Sequence, residues 1–327
     1  MHHREPSDTS GARRFPSRRR PRSPFAAGSP VSKAAPVPNQ PAERPPNALP
    51  SPQTVERGIE RRARASYDGT LGAWGDDELV VEAPLSLRIA GEPLVTTMRT
   101  PGDDEALALG FLLAEGLIRG VRDVGTLTHC GRPDDEGWGN TLEITAGPGF
   151  VLDPEALETS RRGTLVSASC GVCGRRSIDD LMRRIPRGAT GPSLDPRILV
   201  GAPETLRRAQ PAFARTGALH AAGVVDGAGT LRALAEDVGR HNAVDKVVGR
   251  LLQAEALDPG LVLVVSGRTS FEIVQKAAMA GFAAVVAVSG PSTLAVDLAE
   301  RAGIVLCGFA RDGRMNVYTH GERLQAA

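Results

Sequence analysis

The chain has 327 residues, 41% of them hydrophobic, enough for one large domain or two small ones around a sizeable core. Its 39 Lys plus Arg nearly balance 38 Asp plus Glu, so bulk charge gives no reason to expect a nucleic-acid partner. Four cysteines, at 130, 170, 173 and 307, do not make the disulfide framework of a small secreted scaffold, and there is neither an 18-residue apolar run nor a secretory h-region; a soluble cytoplasmic protein without membrane contact is expected.

Residues 1–64 are dominated by Pro, Ser, Arg and Ala, a composition that cannot offset its own ordering entropy, and are expected to be a disordered tail. Arg13-Arg14 and Arg18-Arg19-Arg20 are read as solvated tail charges, since neither an h-region nor interleaved aromatics accompany them. Residues 65–327 are expected to fold. Within them 65–160 reads as a β-rich part with one helix, 161–215 as a loop region, and 216–327 as an α/β part. Folding is expected to begin at Glu78, where two alternating runs separated by Ala90-Gly91-Glu92-Pro93 read as a hairpin. Leu107, Phe111, Ala114 and Ile118 recur at helical spacing up to Gly120. "VGTLTHC" and "TLEITAG" read as strands. From Ala218 onward, "ALHAAGVVD", "LVLVVS", "AAVVAVS" and "IVLCGF" read as buried strands alternating with helices at about 239–257, 269–281 and 292–302. That alternation predicts an α/β fold with a largely parallel sheet flanked by helices, plus an N-terminal β-rich part.

The chemistry concentrates in a few places. In "SASCGVCGRRS", Arg175 and Arg176 follow Cys170 and Cys173, and positive charge favours the nucleophilic thiolate. A CxxC pair permits three readings: half a zinc site, a dithiol redox centre, or a persulfide carrier with a second thiol beside it. Zinc lacks a second spaced pair, for His129 and Cys130 are adjacent and the H-x-E at His320-Gly-Glu322 lies behind the CxxC rather than ahead of it. A thioredoxin-like site would place the pair at a helix start after the first strand of a βαβ unit, which this context does not offer.

"AEDVGRHNAVDKVVGRLL" places Glu236, Asp237, Arg240, His241, Asn242, Asp245 and Lys246 at the opening of a helix, with His241 and Asp245 four apart. Asp245 can then orient His241. The plainer reading has Asp245 and Lys246 solvated and His241 as a satisfied, partly buried residue. After "LVLVVS", Gly267-Arg268 precedes a helix start, a natural seat for a phosphate-bearing ligand with Arg268 adding charge, while Thr269 and Glu272 have the spacing of a capping box. Ser292 reads as a plain cap. Arg311 and Arg314 flank a Gly turn; Cys307 reads as a core residue, which is also the default for Cys130.

Taken together, "TPGDDEALALGFLLAEGLI", "SCGVCG", "TGALHAA", "EDVGRHNAVDKVVG", "SGRTSFEIVQKA", "VSGPSTLAVDLA" and "GFARDGRMNVYTH" resemble the FdhD family, the formate dehydrogenase accessory proteins that act as sulfur carriers. The resemblance spans nearly all of residues 76–320. It implies a cytidine-deaminase-like layered fold, usually a homodimer, that accepts sulfur from a cysteine desulfurase as a persulfide. The sulfur then passes to a bound molybdenum bis(molybdopterin guanine dinucleotide) for formate dehydrogenase, with the cofactor as cargo and no resident metal. By position in the motif Cys170 is the implied carrier and Cys173 its helper, and the cofactor-contacting stretch falls on Phe309, Ala310, Arg311, Asp312, Gly313 and Arg314. Arg268 and His241 are the further candidates for contact with the cofactor. A chaperone that holds the cofactor without moving sulfur is the alternative.

Overall fold

A computed structural model describes residues 58–132, 138–161, 165–166, 185 and 191–325. Within them folding starts well before Glu78. Strands β1 (Ile59–Tyr67) and β2 (Leu71–Val80) form an antiparallel ribbon, so residues 59–64 belong to a strand rather than to a disordered tail. Burial along both strands is patchy on either face, and charged residues face one another across the ribbon, Arg61 opposite Glu78 and Arg62 opposite Asp77. Without an apolar face the ribbon carries no alternating signal to read.

The expected hairpin is β3 (Ala83–Ile89) and β4 (Glu92–Arg99), joined by Ala90-Gly91 with φ of 52° and 82°. Positive φ at both central residues gives the turn the twist that two-residue hairpins favour. Leu85, Leu87 and Ile89 point inward by the two-residue period of a strand. With β5 (Val124–His129), β6 (Thr141–Ala146) and the short β7 (Leu165–Val166) they complete a five-stranded sheet ordered β5-β6-β3-β4-β7. This part carries helix α1 (Asp104–Ala114) and a second helix, α2 (Pro154–Arg161), where one helix was expected.

The segment expected as a loop region holds, among its described residues, α3 (Pro196–Arg208), capped by Asp195, and the short α4 (Pro211–Thr216). Beyond them β8 (His220–Val225), β9 (Leu231–Asp237), α5 (Arg240–Gln253), β10 (Val262–Val265), α6 (Phe271–Met279), β11 (Ala284–Ala287), α7 (Thr293–Ala302), β12 (Val305–Arg311) and β13 (Arg314–Val317) follow in order. The sheet order is β13-β12-β11-β10-β8-β9. Only the β10–β11 and β11–β12 pairings are parallel, so the α/β fold is as expected but the sheet is mixed rather than largely parallel. Strand β9 was not foreseen: Glu236 and Asp237, read as the acidic opening of a helix, end a strand instead.

Both faces of the six-stranded sheet are covered. Leu263 and Val265 of β10 face a core shared with α1, α5, α6 and the five-stranded sheet, while Val262 and Val264 face α3 through Leu199 and Leu206. This is why the strand reads as continuously apolar. At the centre of the large core α1 and α5 cross backbone to backbone. A Cβ on Gly110 would collide with the Asp245 carbonyl, and one on Gly249 with that of Ala106.

Candidate functional site

The polar cluster at the start of α5 is first of all a knot between layers. Asp237, fully buried at the end of β9, accepts from the backbone N–H of Thr100 (3.1 Å) and Gly239 (2.8 Å) and from Asn242 Nδ2 (3.0 Å), and pairs with Lys246 Nζ at 2.7 Å. Lys246 also donates to the Thr100 carbonyl (2.8 Å), and Asn242 to that of Met98 (2.7 Å). The end of β4 is thereby bonded to β9 and α5. Hydrogen bonds of this kind to the surrounding groups are what allow a charged pair to be buried at all. The solvated reading of Asp245 and Lys246 is overturned, since both are buried.

His241 is not oriented by Asp245. Its Nδ1 lies 2.9 Å from Glu272 Oε2 and its Nε2 3.1 Å from Ser270 Oγ, while Asp245 is held by Lys276 at 2.7 and 2.9 Å. Because a carboxylate only accepts, Nδ1 carries a proton toward Glu272, and in the neutral tautomer that leaves Nε2 to accept from the serine hydroxyl. The capping box fails for the same reason: Glu272 serves His241, Ser270 rather than Thr269 is the N-cap of α6, and Thr269 bridges backbone to backbone with Pro291. Ser292 does cap α7, accepting from the N–H of Ala295.

Beside this knot lies a cavity of about 990 Å³ whose wall includes Phe213, His220, Val238, Ser266 and the run Ala310, Arg311, Asp312 and Gly313. The run forms the tight turn between β12 and β13, with φ of 52° and 72° at Asp312 and Gly313. Phe309, at φ 54° and half exposed, lays its ring over Gly290 instead, where a Cβ would come within 2.8 Å of it. Phe309, Arg314, Arg268 and His241 are not among the residues lining the cavity. Arg268 is exposed, whereas Arg240, the first residue of α5, is half-buried with its Nε wholly enclosed.

His220 ties cavity and knot together. Burial lowers its pKa below the ordinary histidine value, the nearby charges of Arg240, His241 and Arg268 lower it further, and Asp237 works in the opposite direction. Its imidazole is therefore neutral at pH 7. It lay in plain sight in "TGALHAA", as a polar residue opening an otherwise apolar strand, but no spacing argument singles it out. Ser266 was likewise missed.

Cys170 and Cys173 lie outside the described residues. Cys307 is buried, and burial alone pushes its thiol up to about 12, as suits a core residue. Cys130 is exposed, contrary to the core default, because β5 ends at His129 and the chain leaves the sheet there. Among the described residues no group of three or more His, Cys, Asp or Glu is placed to hold a metal ion, and no helix is long and apolar enough to cross a membrane.

Residues 80–325 match the FdhD/NarQ family. The sulfur carrier protein FdhD of Anaeromyxobacter dehalogenans (strain 2CP-C) is 52% identical over 284 residues, 85% of this chain and 96% of that protein. Its counterpart in Streptomyces avermitilis is 46% identical over 255 residues, 76% of this chain and 89% of that one. Among solved structures, a protein from Desulfotalea psychrophila described as a formate dehydrogenase accessory protein superposes with a TM-score of 0.63, covering 82% of this chain and 100% of that one. At 22% identity that likeness speaks for the fold.

Proposed function

Since the chain belongs to the FdhD/NarQ family, we propose that it is a cytoplasmic sulfur carrier, active as a homodimer. It takes sulfur from a cysteine desulfurase and passes it to a molybdenum bis(molybdopterin guanine dinucleotide) destined for formate dehydrogenase. The Cys170 thiolate attacks the outer sulfur of the desulfurase persulfide, the donor's S–S bond breaks, the donor thiolate leaves, and Cys170 carries the sulfur as a persulfide. Delivery as sulfide requires two electrons. Cys173 can supply them by closing a disulfide with Cys170 as hydrosulfide is displaced, after which a cellular dithiol reopens the pair.

The observation that carries this reading is the cavity in which the Ala310–Gly313 turn meets His220 and Ser266. Its size is that of a site for one nucleotide-sized moiety, and it opens at the carboxyl end of β10, where α/β sheets commonly bind ligands. Arg207 and Arg311 on its wall suit phosphate groups.

That the cavity wall carries no cysteine among the described residues favours a second reading, a chaperone that holds the cofactor without moving sulfur. Mass spectrometry after incubation with a desulfurase and cysteine separates the two. A reducible one-sulfur adduct on the Cys170 peptide is expected. Its absence from both cysteines, with a desulfurase shown to be competent, would leave the chaperone.

A further inference from the structure

Arg240 has a wholly buried Nε without a hydrogen-bond partner and, among the described residues, no ion-pair partner. The carboxylates near it are committed elsewhere. Asp237 carries Lys246, Asn242 and two backbone amides; Glu236 receives the N–H groups of Ala212 and Phe213; Glu272 holds His241; and Asp245 holds Lys276. A guanidinium does not discharge at any physiological pH, so a half-buried one without a counter-ion among the described residues calls for an added anion.

The surroundings converge on one point. Arg240 Cδ and His220 Nδ1 both lie within 4 Å of where a Cβ on Gly267 would sit, and the next residue, Arg268, is likewise without an ion-pair partner among the described residues. Ser266 Oγ accepts from the Ala221 N–H at 2.9 Å, which leaves its own proton to donate, and it lines the cavity beside His220. His220 itself lines the cavity, and the charges of both arginines lower its pKa alongside burial.

We propose that Arg240 and Arg268, with the Ser266 hydroxyl, form a phosphoryl-anion subsite where β10 leads into α6, distinct from the Ala310–Gly313 turn, and that it receives the pyrophosphate of the guanine dinucleotide. The nucleotide assignment rests on the cofactor reading above; the unmet positive charge does not. Two arginine forks suit the paired oxygens of a pyrophosphate, and the turn at the end of β10 adds backbone N–H groups at the start of α6.

Isothermal titration of the full chain with GDP, inorganic pyrophosphate and guanosine tests it in wild type, R240Q, R268Q and, as a control on an exposed arginine of β9, R232Q. R240Q is expected to weaken GDP and pyrophosphate about tenfold or more and R268Q several-fold, with guanosine unaffected and R232Q like wild type. Unchanged pyrophosphate affinity in both R240Q and R268Q, or a loss for guanosine as large as for GDP, overturns the subsite. Pyrophosphate binding as tightly as GDP overturns the assignment to a nucleotide in favour of free phosphates. Should R240Q fold poorly by circular dichroism, R240K takes its place with a smaller expected loss, because lysine keeps the charge and loses the fork. Sulfur loading of Cys170 in the wild-type chain keeps the two readings apart. Loading without GDP or pyrophosphate binding removes the subsite and leaves the carrier, whereas arginine-dependent pyrophosphate binding without loading does the reverse.

Discussion

Asp245 and Lys276 face each other with both side chains under a tenth exposed. Burial pushes the Asp245 carboxyl up to about 6 against the pull of the ammonium. Burial also works against the Lys276 charge, but the carboxylates of Asp245, Glu115 and Glu272 together outweigh it and the Lys276 pKa is raised. At neutral pH both are ionised. A buried pair of this kind adds little over two apolar residues but is costly to halve, so Lys276→Met is expected to destabilise the fold by about 3–5 kcal/mol at neutral pH. The Asp245 pKa is higher in the folded chain than its ordinary value of 3.8. The stability it contributes is therefore complete below that value and lost as pH rises through about 6. Without Lys276 its pKa climbs further, so the deficit of the variant is expected to be largest at pH 8 and to shrink toward pH 5. Thermal melts of both proteins across that range check it; a deficit independent of pH would mean that Asp245 is already neutral in the wild type. The double variant Asp245→Leu, Lys276→Met is expected to recover most of the loss.

At the scale of elements, the crossing of α1 and α5 depends on two residues that have no side chain. Ala at Gly110 or Gly249 would place a methyl group into the facing backbone, where no rotamer change can relieve it. Overpacking of this kind costs about 1–3 kcal/mol, and these two contacts should lie at the upper end. Denaturant melts of Gly110→Ala and Gly249→Ala measure it, and a change below about 0.5 kcal/mol in both would mean that the helices sit farther apart than described. Such a contact is invisible in sequence, where a glycine in a helix reads only as a weak point. The strands buried on both faces were legible, because Val262–Val265 and Ala284–Ala287 are apolar throughout. Strand β9 was not, because Glu236 and Asp237 look like the acidic first turn that a helix dipole favours, while their actual work is to receive N–H groups from α4, β4 and α5. The candidate site divides in the same way. The Ala310–Gly313 turn came from resemblance and lines the cavity, whereas His220, Ser266 and the unmet charge of Arg240 emerge only once β8, β10 and α5 are brought side by side.

For the molecule as a whole, the five-stranded and six-stranded sheets share one hydrophobic core, running from Leu85, Leu142 and Ile144 through α1 and α5 to Val224, Leu263 and Val285. The buried knot of Thr100, Asp237 and Lys246 bonds β4 to β9 and α5 across the same boundary. Neither sheet can therefore be exposed without breaking the other's packing, and the folded part should unfold in a single transition. Its two tryptophans make the test direct. Trp74 lies on β2 and Trp138 just before β6, so fluorescence reports the N-terminal strands, while α3, α5, α6 and α7, which dominate the helical circular dichroism, lie beyond residue 195. Thermal melts followed by the two signals are expected to share one midpoint. A fluorescence transition that clearly precedes the loss of helix would mean that the N-terminal strands open by themselves, and the cavity, built almost wholly from residues 200–313, would then survive without them.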